Sequence, residues 1–379
     1  MIYLKKLLCL FITFYFILPF NFVNALAPSA SSVIVIEPTT GEVIYERNSH
    51  DRRHPASMTK IMTMLLVMEA IENNMIKWDD IVTVSSNASS MGGSQILLET
   101  NEQMSVYDLF KGLAIASGND AAVALAEKVA GSEEEFVKMM NEKAKKLGLK
   151  DTNFKNPHGL DDANHYSSAY DMAMMAKELV KHEKVFEFTS VYEDYLRKNT
   201  NREFWLVNTN KLVHFYKGVD GLKTGYTNEA GYCITATAKI NDMRIITVVM
   251  GEPDSKTRNA EVSSIFDYVY AQYGIDKIID INTVVRSEYV AKGKVENISI
   301  VPLETVTDLY KKTEGKKNIT YDIEIGNLTA PIKKGDIVGR LILKDNGNNV
   351  RTINLTVSEE VKKANIFELY LRYLKKYLA

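Results

Sequence analysis

The sequence predicts an α+β domain built on an antiparallel sheet, followed by a small all-β domain and a C-terminal amphipathic helix. Three observations carry this reading. Strand-like runs stand at both ends of the segment 28–275, with helical patterns between them. Beyond about residue 275 the composition shifts to Val, Ile and Thr with frequent turn signals. The last twenty or so residues separate into an apolar and a basic face. At 379 residues and 46% hydrophobic content the chain can bury the core of one large or two ordinary domains. A formal net charge of −2 and the lack of a long basic stripe argue against nucleic acid as a partner.

The N-terminus stands apart from this fold. Residues 1–25 open with Lys5 and Lys6, continue in an apolar run and end in small residues near Ala25, the layout of a secretory signal peptide cleaved after Ala25. An uncleaved membrane anchor is the alternative, and either reading places the remainder outside the cytoplasm. Cys9 lies in this segment, so the mature chain keeps Cys233 alone and forms no internal disulfide. Cys233, in "GYCITATA", reads as a small hydrophobe on a buried strand rather than a nucleophile. Six scattered histidines without an H-E-x-x-H or paired cysteines give no metal site, and no cofactor motif is present.

Along the body, "SSVIVIEPTTGEVIYERN" (31–48) is a hairpin signal around Pro-Thr-Thr-Gly. A helix containing Ser57 follows, with Pro55 suited to its first turn and Ile61, Met62, Leu65, Leu66 and Met68 as apolar positions. Helical patterns run through 105–116, 119–130, 133–147 and "SSAYDMAMMAKELVKH". From 217, three short strands ("GVDGLKTGYT", "AGYCITATAKI", "MRIITVVMG") precede a helix in "SKTRNAEVSSIFDYVYAQYG". The expected domains are therefore a leader 1–25, an α+β unit 28–275, an all-β unit 276–358 with a tight turn at Asn346-Gly347, and a helix 359–379. In that helix, aromatic and aliphatic residues oppose Glu368, Arg372, Lys375 and Lys376, the pattern of an interfacial membrane helix. A helix packed against its own domain would show the same amphipathicity.

Three short motifs carry chemistry. In "HPASMTKIMT", Ser57 and Lys60 are three apart and share a helix face. A serine hydroxyl needs a base within hydrogen-bond reach to become a nucleophile, and a lysine is a base only when neutral. Burial and a second cation both favour the neutral form. In "IASGNDAA", Ser117 and Asn119 sit at a helix–helix junction; helix capping would explain them equally. In "GLKTGYT", Lys223 lies two before Gly225 on a strand. A mid-strand glycine marks the close approach of another backbone, here a substrate peptide adding itself to the sheet edge. Lys223 would then be the second cation that keeps Lys60 neutral or recognises a carboxylate; an ordinary glycine turn with a solvated lysine is the alternative.

The order S-x-x-K, S-x-N, K-T-G is the signature of the serine penicillin-recognising enzymes. With "NPHGLDDANHYSSAYDM", "DGLKTGYTNEAGYC", the β-domain and the tail, the chain resembles the low-molecular-mass penicillin-binding proteins, specifically the D-alanyl-D-alanine carboxypeptidases. The resemblance implies a β-lactamase/transpeptidase-like fold. It implies a serine peptidase that removes the terminal D-alanine of peptidoglycan stem peptides through an acyl-enzyme on Ser57, and that β-lactams acylate as inhibitors. By the same resemblance Lys60 takes the proton of Ser57, Ser117 relays one to the leaving D-alanine beside Lys223, and Asn119 orients the substrate amide. Thr224 and Thr227 would bind the terminal carboxylate, and the N–H groups of Ser57 and Tyr226 would form the oxyanion hole. His158, Asp171 and Arg258 match positions lining or supporting the site, with Arg258 near the substrate carboxylate. The C-terminal helix would hold the protein at the outer face of the cytoplasmic membrane. Two alternatives remain at this stage: a β-lactamase of the same fold and a catalytically silent β-lactam or cell-wall sensor. Gly118 stands where class A β-lactamases have Asp, and their deacylating Glu motif is not found between 150 and 185.

Overall fold

The computed structural model describes residues 26–378; the expected leader 1–25, with Cys9, lies outside the described residues. The first unit contains strands β1 (Ser32–Ile36) and β2 (Val43–Arg47) and helices α1 (Lys60–Glu72), α2 (Val106–Ala116), α3 (Asn119–Ala130), α4 (Glu133–Lys146) and α5 (Ala169–Leu179). It closes with β3 (Val219–Thr227), β4 (Gly231–Ile240), β5 (Met243–Glu252) and α6 (Ser255–Gln272). The five strands make one antiparallel sheet in the order β2-β1-β5-β4-β3, so the N-terminal hairpin closes on the last three strands and β3 is left at an edge.

Side-chain alternation explains why this sheet is covered on both sides. Ile34, Ile36, Ile246, Val248 and Met250 face the helices α1–α5. Their neighbours Val33, Val35, Ile245 and Val249 face the other way, onto Val262, Ile265, Phe266 and Val269 of α6. α1 lies in the middle of the helical layer, with ten of its thirteen residues buried. A helix apolar nearly all round is stable only in such a place. Helix starts follow the local chemistry: Ser105, Ser132, Ser168 and Asp254 each accept a backbone N–H at the N-cap of α2, α4, α5 and α6.

The second unit is all β. It comprises β6 (Tyr273–Ile279), β7 (Arg286–Ala291), β8 (Asn297–Pro302), β9 (Val306–Lys311), β10 (Ile319–Ile325), β11 (Leu328–Thr329), β12 (Gly339–Asp345) and β13 (Asn348–Val357). Six strands run in the order β10-β12-β13-β8-β7-β11, and β6 pairs with β9. Asn346 and Gly347 both take positive φ between β12 and β13, the two-residue turn their sequence announces. β6 starts at Tyr273, the residue after the last turn of α6, so no linker separates the two units.

The chain ends in α7 (Ile366–Leu378). Its polar side is fastened to the β7–β8 turn: Arg372 Nη2 donates to the carbonyls of Gly293 (2.7 Å) and Lys294 (3.0 Å), and its Nε pairs with Glu296 at 3.2 Å. Ile366, Phe367 and Tyr370 project outward, 87%, 68% and 58% exposed. No helix among the described residues is long and apolar enough to cross a membrane.

Candidate active site

Ser57 is not on the α-helix. It lies in a 3₁₀ turn, Ala56–Thr59, and Lys60 is the first residue of α1. The departure from the expected helix matters, because residues i and i+3 eclipse in a 3₁₀ turn. The turn brings Lys60 Nζ to 3.0 Å from Ser57 Oγ. Ala56, just before, has φ +47°, a left-handed conformation that costs energy for a non-glycine residue and is held by its surroundings.

Those surroundings are two glycine backbones. A Cβ at Gly225 of β3 would stand 2.8 Å from the Pro55 carbonyl oxygen and 3.2 Å from the Ser57 nitrogen. A Cβ at Gly159 would stand 1.9 Å from the Ala56 carbonyl oxygen. Gly225 was expected to make room for a substrate strand; the backbone that approaches it is the protein's own Pro55–Ser57 segment. Loop 157–165 is bound to the 3₁₀ turn and to α1 by further contacts. Thr63 Oγ1 donates to Pro157 O at 2.6 Å. The His165 ring accepts from Lys155 N through Nδ1, so its protonated Nε2 donates to Thr59 Oγ1 at 2.7 Å.

Lys60 is fully buried. Its Nζ also lies 2.6 Å from Asn119 Oδ1 and 2.7 Å from the His158 carbonyl oxygen. Burial first, then the charge of Lys223, hold its pKa well below the usual lysine range, with Asp120 opposing them. Lys223, buried on β3, donates to Thr224 O (3.0 Å) and Thr209 Oγ1 (3.4 Å). Burial, with Arg258 adding to it, brings its pKa down to about 7.

Ser117 is the C-cap of α2 in the left-handed conformation (φ 65°), and Gly118 is the N-cap of α3 without a side-chain bond. Neither Ser117 nor Asn119 caps a helix N-terminus. Asn119 uses its amide on Lys60 and on Gly92 O (2.7 Å). Ser117 is 2% exposed. The residue that sequence reasoning missed here is Asp120. Buried in the first turn of α3, it accepts N–H groups from Ile96 and Leu98 at 3.0–3.1 Å and folds loop 94–98 against the site. A carboxylate directly after Asn119, before the apolar run "AAVALA", was the available signal.

The other expected site residues make contacts within the protein. Thr227 Oγ1 donates to Asp161 Oδ1 at 2.9 Å, and the Thr224 carbonyl accepts from Lys223 Nζ at 3.0 Å. His158 serves Lys60 with its carbonyl; its ring is buried, accepts from Leu160 N, and is pushed by burial to a pKa of about 3, so it does not line a substrate surface. Arg258 is buried on α6, donating to Cys233 O (3.3 Å) and to Asn259 Oδ1. Its charge reaches Lys223 from behind β4. Asp171 is structural, accepting from Asp151 N and Thr152 Oγ1. Tyr226 is half exposed at the end of β3 and packs on Tyr232, ring centroids 4.3 Å apart. Cys233 is buried, its thiol pushed up to about 11, and it is no nucleophile.

The resulting arrangement is a serine beside a buried lysine with lowered proton affinity, an amide bridging to it, a second buried lysine on the edge strand, and an open strand edge. Comparison with known proteins agrees with this chemistry. Residues 21–254 match the D-alanyl-D-alanine carboxypeptidase family, and residues 273–363 match the penicillin-binding protein 5 C-terminal domain. The chain is 51% identical to the D-alanyl-D-alanine carboxypeptidase DacF of Bacillus subtilis, over 93% of this chain and 90% of that one. It is 34% identical to DacA of Haemophilus influenzae over 89% and 87%. The structure superposes on penicillin-binding protein 5 of Haemophilus influenzae with TM-score 0.70, 31% identity and coverage of 88% and 98%. It matches penicillin-binding protein D2 of Listeria monocytogenes, solved with ampicillin bound, with TM-score 0.57, 32% identity and coverage of 63% and 96%. The serine–lysine pair thus sits in a chain that belongs to the D-alanyl-D-alanine carboxypeptidase family of serine hydrolases.

Proposed function

We propose that this protein removes the terminal D-alanine from peptidoglycan stem peptides through an acyl-enzyme on Ser57. The observation that carries the assignment is the 3.0 Å contact between Ser57 Oγ and the Nζ of the fully buried Lys60. Neutral Lys60 accepts the hydroxyl proton as Oγ attacks the carbonyl between the two D-alanines. The negative charge on that carbonyl oxygen is met by the N–H groups of Ser57 and Tyr226. The C–N bond then breaks as the proton passes from Lys60 through Ser117 to the leaving amine, and D-alanine departs. Water attacks the ester, Lys60 takes its proton and returns it to Oγ as the ester C–O bond breaks, and Ser57 is released. Asn119 orients the substrate amide, and Lys223 with Thr224 receives the terminal carboxylate. The substrate backbone lies along the free edge of β3, where unpaired peptide groups offer an added strand its hydrogen bonds.

The leader 1–25 directs export, and α7 holds the protein at the outer face of the cytoplasmic membrane. Its support is the outward set of Ile366, Phe367 and Tyr370 opposite the fastened Arg372. β-Lactams, which mimic the D-Ala-D-Ala end, acylate Ser57.

The test follows D-alanine released from diacetyl-L-Lys-D-Ala-D-Ala, beside labelling with a fluorescent penicillin. Ser57→Ala is expected to abolish both. Stoichiometric labelling without D-alanine release would reject the carboxypeptidase and leave a sensor; rapid penicillin hydrolysis would point to a β-lactamase.

A further inference from the structure

The segment 208–210 is tied to three parts of the first unit at once. Asn208 and Asn210 are both buried, and a buried side-chain amide is stable only when its donors and acceptor are matched. Asn208 Nδ2 donates to the carbonyls of Thr189 (3.0 Å) and Val191 (2.8 Å), and its Oδ1 accepts from Asn210 N at 2.8 Å. Asn210 Nδ2 donates to Gly221 O on β3 at 3.0 Å, and its Oδ1 accepts from Leu212 N at 3.1 Å. Between them, Thr209 N donates at 3.2 Å to the carbonyl of Ile115, in the last turn of α2 just before Ser117. Thr209 is thus fixed against both the strand that carries Lys223 and the helix end that presents Ser117.

The Thr209 side chain is half-buried and meets Lys223. Its Oγ1 accepts from Lys223 Nζ at 3.4 Å, and Thr224 O accepts from the same nitrogen at 3.0 Å. An ammonium carries three N–H groups, and a hydroxyl that accepts a hydrogen bond still has its own O–H to give. After these two bonds Lys223 has one N–H left. Thr209 has its O–H, which is given to no acceptor among the described residues. The two free donors sit on adjoining atoms, 3.4 Å apart, a spacing that the two oxygens of one carboxylate can span. The arrival of that carboxylate also favours the charged form of Lys223 and so preserves its third N–H. An amide end brings no charge and offers one oxygen only.

We infer that Thr209 is a specificity-determining residue of the carboxypeptidase reaction. Its hydroxyl holds the Lys223 ammonium in place and donates to one oxygen of the substrate's terminal carboxylate, while Lys223 donates to the other. The inference rests on the reading above that Lys223 with Thr224 receives that carboxylate. With Thr209 present, the site favours peptides that end in a free acid over those that end in an amide.

The experiment uses the purified full chain and two pairs of reactants: diacetyl-L-Lys-D-Ala-D-Ala against its C-terminal amide, and benzylpenicillin against its methyl ester. Thr209→Val keeps the shape of the side chain and removes the hydroxyl. It is expected to lower kcat/KM for the free peptide acid, and the rate of acylation by benzylpenicillin, about tenfold or more, the worth of a hydrogen bond to a charged group. The amide and the methyl ester should lose far less, so the acid-to-neutral ratio falls in both pairs. Thr209→Ser restores the hydroxyl and should recover the wild-type ratio. A partly unfolded preparation lowers both members of a pair alike and leaves the ratio untouched, so poor folding of a variant does not mimic the expected result. An unchanged ratio in Thr209→Val, whether both rates fall or neither does, overturns the proposal and leaves Thr209 a structural part only. If the wild type is acylated by benzylpenicillin but releases no D-alanine, the carboxypeptidase reading fails by itself, and the acid-to-ester ratio of acylation still decides the role of Thr209.

Discussion

Gly159 and Ala56 are in direct backbone contact: the space a side chain would need at Gly159 is occupied by the Ala56 carbonyl, which would lie 1.9 Å from its Cβ. Gly159 also has φ +90°, where a side chain is strained whatever the space. Gly159→Ala is therefore expected to displace the turn that carries Ser57. A loss of about 2–5 kcal/mol follows from strain and overpacking together. Penicillin labelling should fall much further than for a surface mutation of equal destabilisation. The check is acylation rate against Tm; wild-type acylation with a lowered Tm would show that the turn does not depend on this contact.

The pH dependence of acylation should report on Lys60. As pH falls, Lys60 takes up a proton and the rate drops. Lys223 holds that pKa down and Asp120 holds it up. Removing the cation in Lys223→Met should move the acid limb of the labelling rate to higher pH, and removing the anion in Asp120→Asn should move it to lower pH. Lys60→Met should cost about 10²–10⁴ in rate, the usual worth of a positioned base. Shifts of the same sign in the two charge variants would contradict the electrostatic account.

Stability should carry a separate pH signature from the base of the sheet. Glu252 and Glu261 both contact Ser29 Oγ, at 2.8 and 2.5 Å, and a single hydroxyl proton cannot serve both. Burial and the neighbouring carboxylate raise the Glu252 pKa from 4.5 to about 7. The folded chain then binds a proton more tightly than the unfolded one. This contribution is fully present below 4.5 and is lost as pH climbs to about 7. Tm measured across that interval should decline, and Glu252→Gln should flatten the decline. An unchanged slope would exclude a proton shared at this cluster.

Truncation after Asn365 should leave peptide cleavage intact and abolish binding to lipid vesicles. The cut spares Val361 and Ala364, which are buried and bonded to the β-domain through Ile332 and Lys292. Co-sedimentation with vesicles is the measurement, and retention of the truncated chain on vesicles would remove α7 from the account.

Much of this was legible because it rests on local pattern. The β1–β2 hairpin, the helices of the body, the three late strands and the Asn346-Gly347 turn all follow from periodicity and turn chemistry. The pairing of Ser57 with Lys60 followed from spacing. What spacing could not reveal was long-range contact. The 3₁₀ geometry of residues 56–59, the approach of Pro55 to Gly225, and the bond of Thr227 to Asp161 arise from segments distant in the chain. Asp120 and His158 illustrate the same limit: one acts through the N–H groups of Ile96 and Leu98, the other through its carbonyl, and neither has a motif of its own.

The direct passage from Gln272 at the end of α6 to Tyr273 at the start of β6 makes the β-domain a handle rather than a leash. A catalytic unit on a leash could turn to meet stem peptides from any side. With α7 holding it at a membrane, as proposed, one on a handle would keep a single facing, and which peptides of a wall layer it trims would be decided by how that layer presents them.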